Sequence, residues 1–574
     1  MGGYQMKIER ILIEDQMAPI GLDEKKPAFS WLLTAEEGEQ NLMQSACRIV
    51  VRTGEDTVWD SGKMETGVST GIGYEGEALQ PCTKYEVKAE VWDNHGGKAE
   101  AESSFETGLM DSLYAAWEGA EWIGAPHATV CAENRGVFTI ESEFRMEGGK
   151  GEAGIVFGAN DFRLNDHTKN ELGMEGENYI RYAVCLEDGD ARLEIYRVGH
   201  APEDTAEKPF AVTKLVNWKE KTQEILTPEN ADAFHKLTVE VDGNVAYAYV
   251  DGILVDAIEE HGFFGTKVSG RQLNPRGNND VLPYPRLNEI GFYAGKGTTG
   301  YFKNLTVRNV RKPSAEIVRE TPEGRLDGGK SIFADQIPVE NGYFKVEDSQ
   351  ITADPSHHSI PMLRSCISCQ KEKKLVSARL YITARGIYDC RINGQEITED
   401  LLRPGLTQYD HRMNYQTYDI TGLMKPGRNG IGVTLASGWW SEAQTFVVKN
   451  FNYFGDKESL LAKVVMKYKD GSREVFGTNT EDWKYFGEGP YLFSSYFAGE
   501  QYDARRAEVY ETYSLPEFDD STWEKPVVVD TVMIEEFCTM PGFGRSWPAV
   551  HEQKPEYIGE YDAPVRIVDR RTAK

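Results

Sequence analysis

The stretch LYITARGIYDCRINGQEITEDLLRPGLTQYDHRMNYQTYDITGLMKPGRNGIGVTLASGWW, residues 380–440, decides the fold. Its segments alternate apolar and polar residues, which is the period of a strand with one buried face. Turn pairs stand at Asn393-Gly394, Pro404-Gly405 and Pro426-Gly427, and the stretch closes on Gly438-Trp439-Trp440. Alternating strands separated by such turns describe an antiparallel β-sandwich. On a strand Trp439 and Trp440 would face opposite ways, leaving one ring exposed.

The rest of the chain reads the same way. At 574 residues it is too long for one core, and about 150 residues per domain suggests three or four domains. The formal charge of −29, from 92 acidic against 63 basic residues, disfavours nucleic acid and anionic membrane surfaces as partners, because a polyanion is repelled. A neutral glycan is not. Without an apolar run of membrane-spanning length or a signal-like N-terminus, a cytoplasmic location is expected. The eight cysteines are scattered through strand-like segments and read as small buried hydrophobes, not a disulfide framework.

Residues 7–110 contain short strands such as FSWLL, CRIVVRT and YEVKAEVWD, with Trp31, Trp59 and Trp92 as packing residues. A second strand set follows Trp117-Glu-Gly-Ala-Glu-Trp122-Ile-Gly and includes GIVFGAND, NYIRYAV, ARLEIYRVG and IGFYAGKGTTGYFKNLTV. The segment LTVEVDGNVAYAYVDG, residues 237–252, is expected to form a hairpin around Asp242-Gly243. It places Leu237, Val239, Val241 and then Val245, Tyr247, Tyr249 on its successive faces. A third set resumes near residue 330, with a hairpin at Asp470-Gly471. No long amphipathic helix is evident, so the expected class is all-β, several antiparallel sandwich or jelly-roll domains without an α/α barrel.

Several local matches fail on context. GRLDGGKS (324–331) fits the P-loop pattern but lacks the flanking strand and helix that a phosphate site requires. GKGTTG (295–300) runs into a strand, so no helix N-terminus is present to hold a pyrophosphate. Cys366 and Cys369 lie three apart on a strand and face opposite sides, which prevents a shared metal. His357-His358 sits in a polar, Pro-flanked segment and reads as solvated loop, and Asp503 with Arg505 reads as an internal ion pair.

Residues 380–440, together with FAGEQYDAR (497–505) and FDDSTW (518–523), resemble the N-terminal sugar-binding domain of bacterial α-L-rhamnosidases of glycoside hydrolase family 78. Phe29-Ser-Trp31, Trp59-Asp-Ser-Gly62 and Phe105-Glu-Thr-Gly108 resemble the fibronectin type III-like module that opens them. The resemblance implies four parts. They are a fibronectin-like sandwich at 1–112, an inserted laminin-G or concanavalin-like jelly roll at 125–315, a discontinuous sugar-binding jelly roll at 113–124 plus 316–555, and a connector at 556–574.

It further implies the binding of rhamnose-containing glycans or glycosides, with a catalytic domain downstream or on another chain. The sugar contacts matched through the resemblance are Asp410, His411 and Asn452, and Trp439, Trp440 and Tyr409 join them as candidate aromatic contacts, with core or sheet packing as their other reading. Asp410 and Asn452 would be ligands of a calcium ion that bridges protein to sugar hydroxyls. His411 departs from that pattern, since calcium takes hard oxygen donors and imidazole has none. The family's catalytic acid lies in a helical-barrel segment with no counterpart here, so no catalytic residue is assigned. The alternatives are a complete enzyme hydrolysing α-L-rhamnosides in a sandwich cleft, and a scaffold subunit.

Overall fold

The computed structural model describes residues 6–35, 41–127, 137–161, 177–199, 205–215, 225–242, 245–258, 260–261, 267–268, 287–309, 312–326, 328–356, 359–441, 454–455, 457–496, 499–529, 533–535, 550–552, 555–559 and 565–566. His357, His358, Asn452, Cys131 and Cys538 lie outside these residues. The fold is all-β, and the longest α-helix among the described residues is Ala507–Thr512. None of their helices is long and apolar enough to cross a membrane.

The N-terminal unit packs two sheets. One joins Met6–Ile13, Ala28–Ala35 and Ile72–Gly73, and the other has Ile20–Leu22, Lys98–Thr107, Lys84–Asp93, Gln44–Thr53 and Asp56–Asp60 in that order. Alternate residues Ile49, Val51, Tyr85, Val87 and Val91 point inward onto Phe29 and Trp31. Trp31 satisfies its buried indole N–H on Gln44 Oε1 at 2.9 Å. Trp59 stacks on Phe29 at 5.8 Å, and Trp92 lies at the edge beneath Lys63 and Lys98.

The middle unit is one large antiparallel system. Its path runs through Phe210–Leu215, Asp190–Val198, Tyr179–Glu187, Gly151–Ala159, Glu289–Phe302, Val137–Met146, His235–Asp242, Val245–Val250 and Ile253–Ile258. The GKGTTG stretch forms an irregularity within the long strand Glu289–Phe302, where pairing with Tyr343–Ala353 shifts between Ala294 and Thr299. Because Tyr343–Ala353 pairs here and Phe333, Phe344 and Val346 join this core, the inserted unit extends beyond the expected boundary at 315 to 353. In the hairpin, Asp242 pairs with Val245, so Ala246, Ala248 and Val250 lie across from Val241, Val239 and Leu237 on the buried face. Tyr247 and Tyr249 take the other face.

The third unit packs two more sheets. The first orders Gln395–Glu396, Ile387–Ile392, Gly427–Ala436, Met362–Cys369 and Lys484–Phe486. The second orders Val527–Val528, Ile123–Gly124, Ser459–Tyr468, Leu375–Arg385, Arg412–Asp419 and Glu556–Gly559. Asn393 and Gly394 both have positive φ, 51° and 81°, as a two-residue hairpin turn requires. Ile123 pairs with Leu460 and Gly124 with Ser459, so this domain is split around the insert. Glu556–Gly559 pairs in parallel with Arg412–Tyr415 and therefore belongs to the sheet, not to a connector.

The dismissed motifs have structural causes. Gly324–Arg325 is a two-residue strand paired with Glu320 and Thr321, and Lys330 is ion-paired with Asp335. Cys369 is buried and Cys366 half-buried on one strand, both free thiols. Asp503 accepts from the Arg505 guanidinium at 2.7 and 2.8 Å.

Candidate functional site

On the strand Ser459–Tyr468 the even positions enter the sandwich core, whereas Leu461 and Val465 join a second cluster with Trp117, Trp122, Tyr415 and Tyr557. Tyr409 and Trp440 belong to that second cluster, each 1% exposed. The Tyr409 ring meets Phe454 edge-on at 5.0 Å and Trp440 at 5.9 Å, and its hydroxyl donates to the Gly405 carbonyl. Burial pushes the Tyr409 phenol well up. The Arg385 guanidinium lies 4.4 Å from the Trp122 ring and 5.4 Å from that of Trp440.

Trp439 and Trp440 do not lie on a strand. Extended pairing stops at Ala436, and Gly438–Ser441 is a single helical turn. Gly438 has φ +51°, and a Cβ there would come within 2.7 Å of Ile387. One ring is core and the other, Trp439, is half-buried against Tyr496 at 4.5 Å. Asp410 is mostly buried, while His411 is 71% exposed with Nε2 3.6 Å from Asp410 Oδ2.

Among the described residues, no three His, Cys, Asp or Glu side chains converge to hold a metal. An exposed imidazole beside one carboxylate falls short of the six to eight oxygens that calcium takes.

A denser constellation lies on the inserted unit. In Tyr179–Glu187 the residues Ile180, Tyr182, Val184 and Leu186 fill the core, which turns Tyr179, Arg181 and Cys185 to the opposite face. The same parity turns out Arg192, Glu194 and Tyr196 from Asp190–Val198, and Glu152 and Gly154 from Gly151–Ala159. The long strand adds Gly291 and Tyr293. Strand register sets Arg181 opposite Tyr196, and Tyr293 between Gly154 and Gln350.

The result is a cation held between rings. The Arg181 guanidinium lies 3.8 Å from the Tyr293 ring centre, 4.2 Å from Tyr196 and 5.8 Å from Tyr179. Its Nη1 donates to Gln350 Oε1 at 3.3 Å, while its buried Nε has no hydrogen-bond partner. Tyr293 donates to Glu152 Oε2 at 3.2 Å, and buried Glu152 Oε1 is likewise unpartnered. Burial pushes the Glu152 carboxyl up, against the lowering effect of Arg181. Gly154 and Gly291 keep the face low, since a Cβ at either would come within 2.0 Å of a neighbouring strand's carbonyl oxygen.

Aromatic faces, a planar cation, a carboxyl and an amide are the groups that hold an apolar sugar face and its hydroxyls. In sequence NYIRYAV and ARLEIYRVG read only as strands. Their signal was in the outward positions, which are aromatic and charged where the inward ones are aliphatic.

Residues 373–540 match the model of the α-L-rhamnosidase N-terminal domain, and residues 8–111 match that of the Rha78A-like N-terminal immunoglobulin domain. These two segments are similar to N-terminal domains of glycoside hydrolase family 78 α-L-rhamnosidases. An α-L-rhamnosidase of Streptomyces avermitilis is 27% identical over 523 residues, which are 89% of this chain and 44% of that protein. One of Formosa agariphila is 37% identical over 152 residues, 26% of this chain and 16% of the relative.

The crystal structure of Streptomyces avermitilis α-L-rhamnosidase complexed with L-rhamnose shares the fold, with a TM-score of 0.54 and 20% identity over 98% of this chain and 47% of that one. The chain thus spans less than half the length of those curated relatives.

Proposed function

We propose that the chain is the non-catalytic, carbohydrate-binding N-terminal region of an α-L-rhamnosidase-like glycoside hydrolase. On this reading the outward face of the inserted sandwich holds a rhamnose-containing glycan or glycoside, and a further catalytic domain performs hydrolysis. The observation that carries it is Arg181 held between Tyr196 and Tyr293, with Arg181 Nε and Glu152 Oε1 buried and unpartnered. The Arg181 guanidinium and the Glu152 carboxylate put a donor and an acceptor side by side beneath the rings, which suits a ligand that supplies both an acceptor and a donor. A sugar hydroxyl is both. The rings offer the apolar side of the sugar a surface for contact.

Isothermal titration of L-rhamnose, with and without calcium, tests this reading. Heat that is lost in Arg181→Ala supports it, and no heat in either condition removes it. The calcium arm also tests Asp410 and Asn452, since their involvement would make the heat metal-dependent.

A second reading rests on the carboxyls of the same face. Glu152 is pushed toward its protonated form, and Glu194 stands on the neighbouring outward row. A proton donor and a second carboxylate are what glycoside hydrolysis requires. Turnover of an aryl α-L-rhamnoside by the purified chain, abolished in Glu152→Gln, would favour it. Absence of turnover at high protein concentration leaves the binding reading.

A further inference from the structure

Where the N-terminal sandwich meets the split domain there is a cleft of ≈ 540 Å³. One wall is Pro81, Cys82, Thr83 and Leu109, and the other is Ala116, Glu118, Lys463, Lys467 and Arg473, with Asp111 at the rim. Its size falls within the range of small-ligand sites, about 300–1,000 Å³. Its charge is opposite to that of the chain. Three cations face two carboxylates in a protein whose net charge is −29.

The cations are not equivalent. Lys463, 1% exposed, donates to the Ala116 carbonyl at 2.6 Å and to Glu118 Oε1 at 2.8 Å. Arg473 clasps the same carboxylate with two bonds of 2.8 and 2.6 Å. Glu118 is thereby fully engaged. Lys467 donates to the Cys82 carbonyl at 2.5 Å, and among the described residues it has no carboxylate within ion-pair distance. An ammonium has three donors, so Lys467 keeps two for a ligand.

The strand itself explains why Lys467 faces the cleft. Leu461, Lys463, Val465 and Lys467 share one side of Ser459–Tyr468, and Leu461 and Val465 are sealed by the inter-domain cluster. Low-dielectric walls on both sides strengthen the field of the remaining positive charge.

We propose that this cleft binds the carboxylate of an acidic sugar, a uronic acid residue, on Lys467. Pro81, Leu109 and the Cys82 side chain would lie against the ring. This site is separate from the face around Arg181, and it takes from the reading above only that the ligands are saccharides.

The test is calorimetric titration of the whole chain with sodium D-galacturonate and sodium D-glucuronate. D-galactose serves as the neutral counterpart, and inorganic phosphate and acetate as non-sugar anions. A uronate is expected to bind at least tenfold more tightly than D-galactose, phosphate or acetate, because a charge-assisted bond is lost without the carboxylate and ring contact is lost without the sugar. Lys467→Met, which keeps the apolar stem, should weaken uronate about tenfold or more.

A mutation-free check is ionic strength: raising salt from about 0.1 to about 1 M shortens the screening length from roughly 10 to 3 Å and should weaken uronate binding severalfold. Equal binding of galactose and uronate overturns the proposal, and so does wild-type affinity in Lys467→Met. Binding of phosphate as tight as uronate makes the cleft a general anion site and also overturns it. L-rhamnose titrated in parallel separates this inference from the first, since either ligand can bind when the other does not.

Discussion

Tyr415 and Asp23, 392 residues apart in sequence, share a 2.7 Å hydrogen bond from the phenol to carboxylate Oδ2. The same hydroxyl accepts from the Leu109 N–H at 2.7 Å, and Asp23 also accepts from the N–H groups of Met110 and Gly559. Four segments thus meet at one buried polar point. It joins the N-terminal sandwich to the split domain and to the strand Glu556–Gly559.

Tyr415→Phe removes a donor from Asp23 and leaves the Leu109 N–H unpaired while barely changing volume. It should cost about 1–3 kcal/mol of stability. Urea unfolding monitored by tryptophan fluorescence measures this, and a wild-type midpoint would show that the bond does not hold the seam.

Arg379 bridges the same two domains with two 2.6 Å bonds to Glu106 and a third at 2.6 Å to Asp419. Arg379→Met leaves a half-desolvated Glu106 unpaired and should destabilise by about 3–5 kcal/mol. Glu106→Gln should cost less, because the amide still accepts one bond. Thermal melts of the two variants give the order.

Two seam carboxyls respond to pH with opposite signs. Hydrogen bonding from Arg473, then from Lys463, holds Glu118 at about 2 against the opposing pull of burial. The unfolded state therefore binds the proton first, and the contribution of Glu118 is complete above its unfolded pKa near 4.5 and fades as pH falls toward about 2. Solvent screens it, since Glu118 is 38% exposed. Burial raises Asp23 above 3.8, so its contribution is instead lost as pH rises through its folded pKa. Glu118→Gln should be less stable than wild type at about pH 6, with the difference closing in acid. Unfolding midpoints measured across that range decide it, and a gap that widens in acid contradicts the assignment.

The two adjacent tryptophans should separate cleanly. Trp440→Ala empties a core position and should cost about 3–5 kcal/mol, whereas half-buried Trp439→Ala should cost about 1 kcal/mol. Equal costs would contradict the placement of one ring inside and one at the surface.

The sandwich class was legible because alternation and turn pairs are local, as Asn393-Gly394 shows. The expected split rested on the resemblance, in which the segment ending Trp122-Ile-Gly leads directly into the sugar-binding domain; in the structure Ile123 pairs with Leu460. Parity was not legible. The pairing of Asp242 with Val245 puts Ala246 and Ala248 inside, where bulk alone would favour Tyr247 and Tyr249. Nor did the sequence disclose that Gly438 ends the strand, or that Tyr343–Ala353 pairs backward into the insert. Both depend on contacts distant in the chain. The face around Arg181 was hidden for the same reason, because five strands contribute to it and only their register brings Arg181, Tyr196, Tyr293, Glu152 and Gln350 together.

The central claim is that this face binds the sugar, and calorimetric titration of L-rhamnose into the wild-type chain, Arg181→Ala and Trp439→Ala tests it most directly. Saturable heat in the wild type and in Trp439→Ala, lost in a folded Arg181→Ala, is the predicted result. Undiminished heat in Arg181→Ala, or heat lost only in Trp439→Ala, would contradict it.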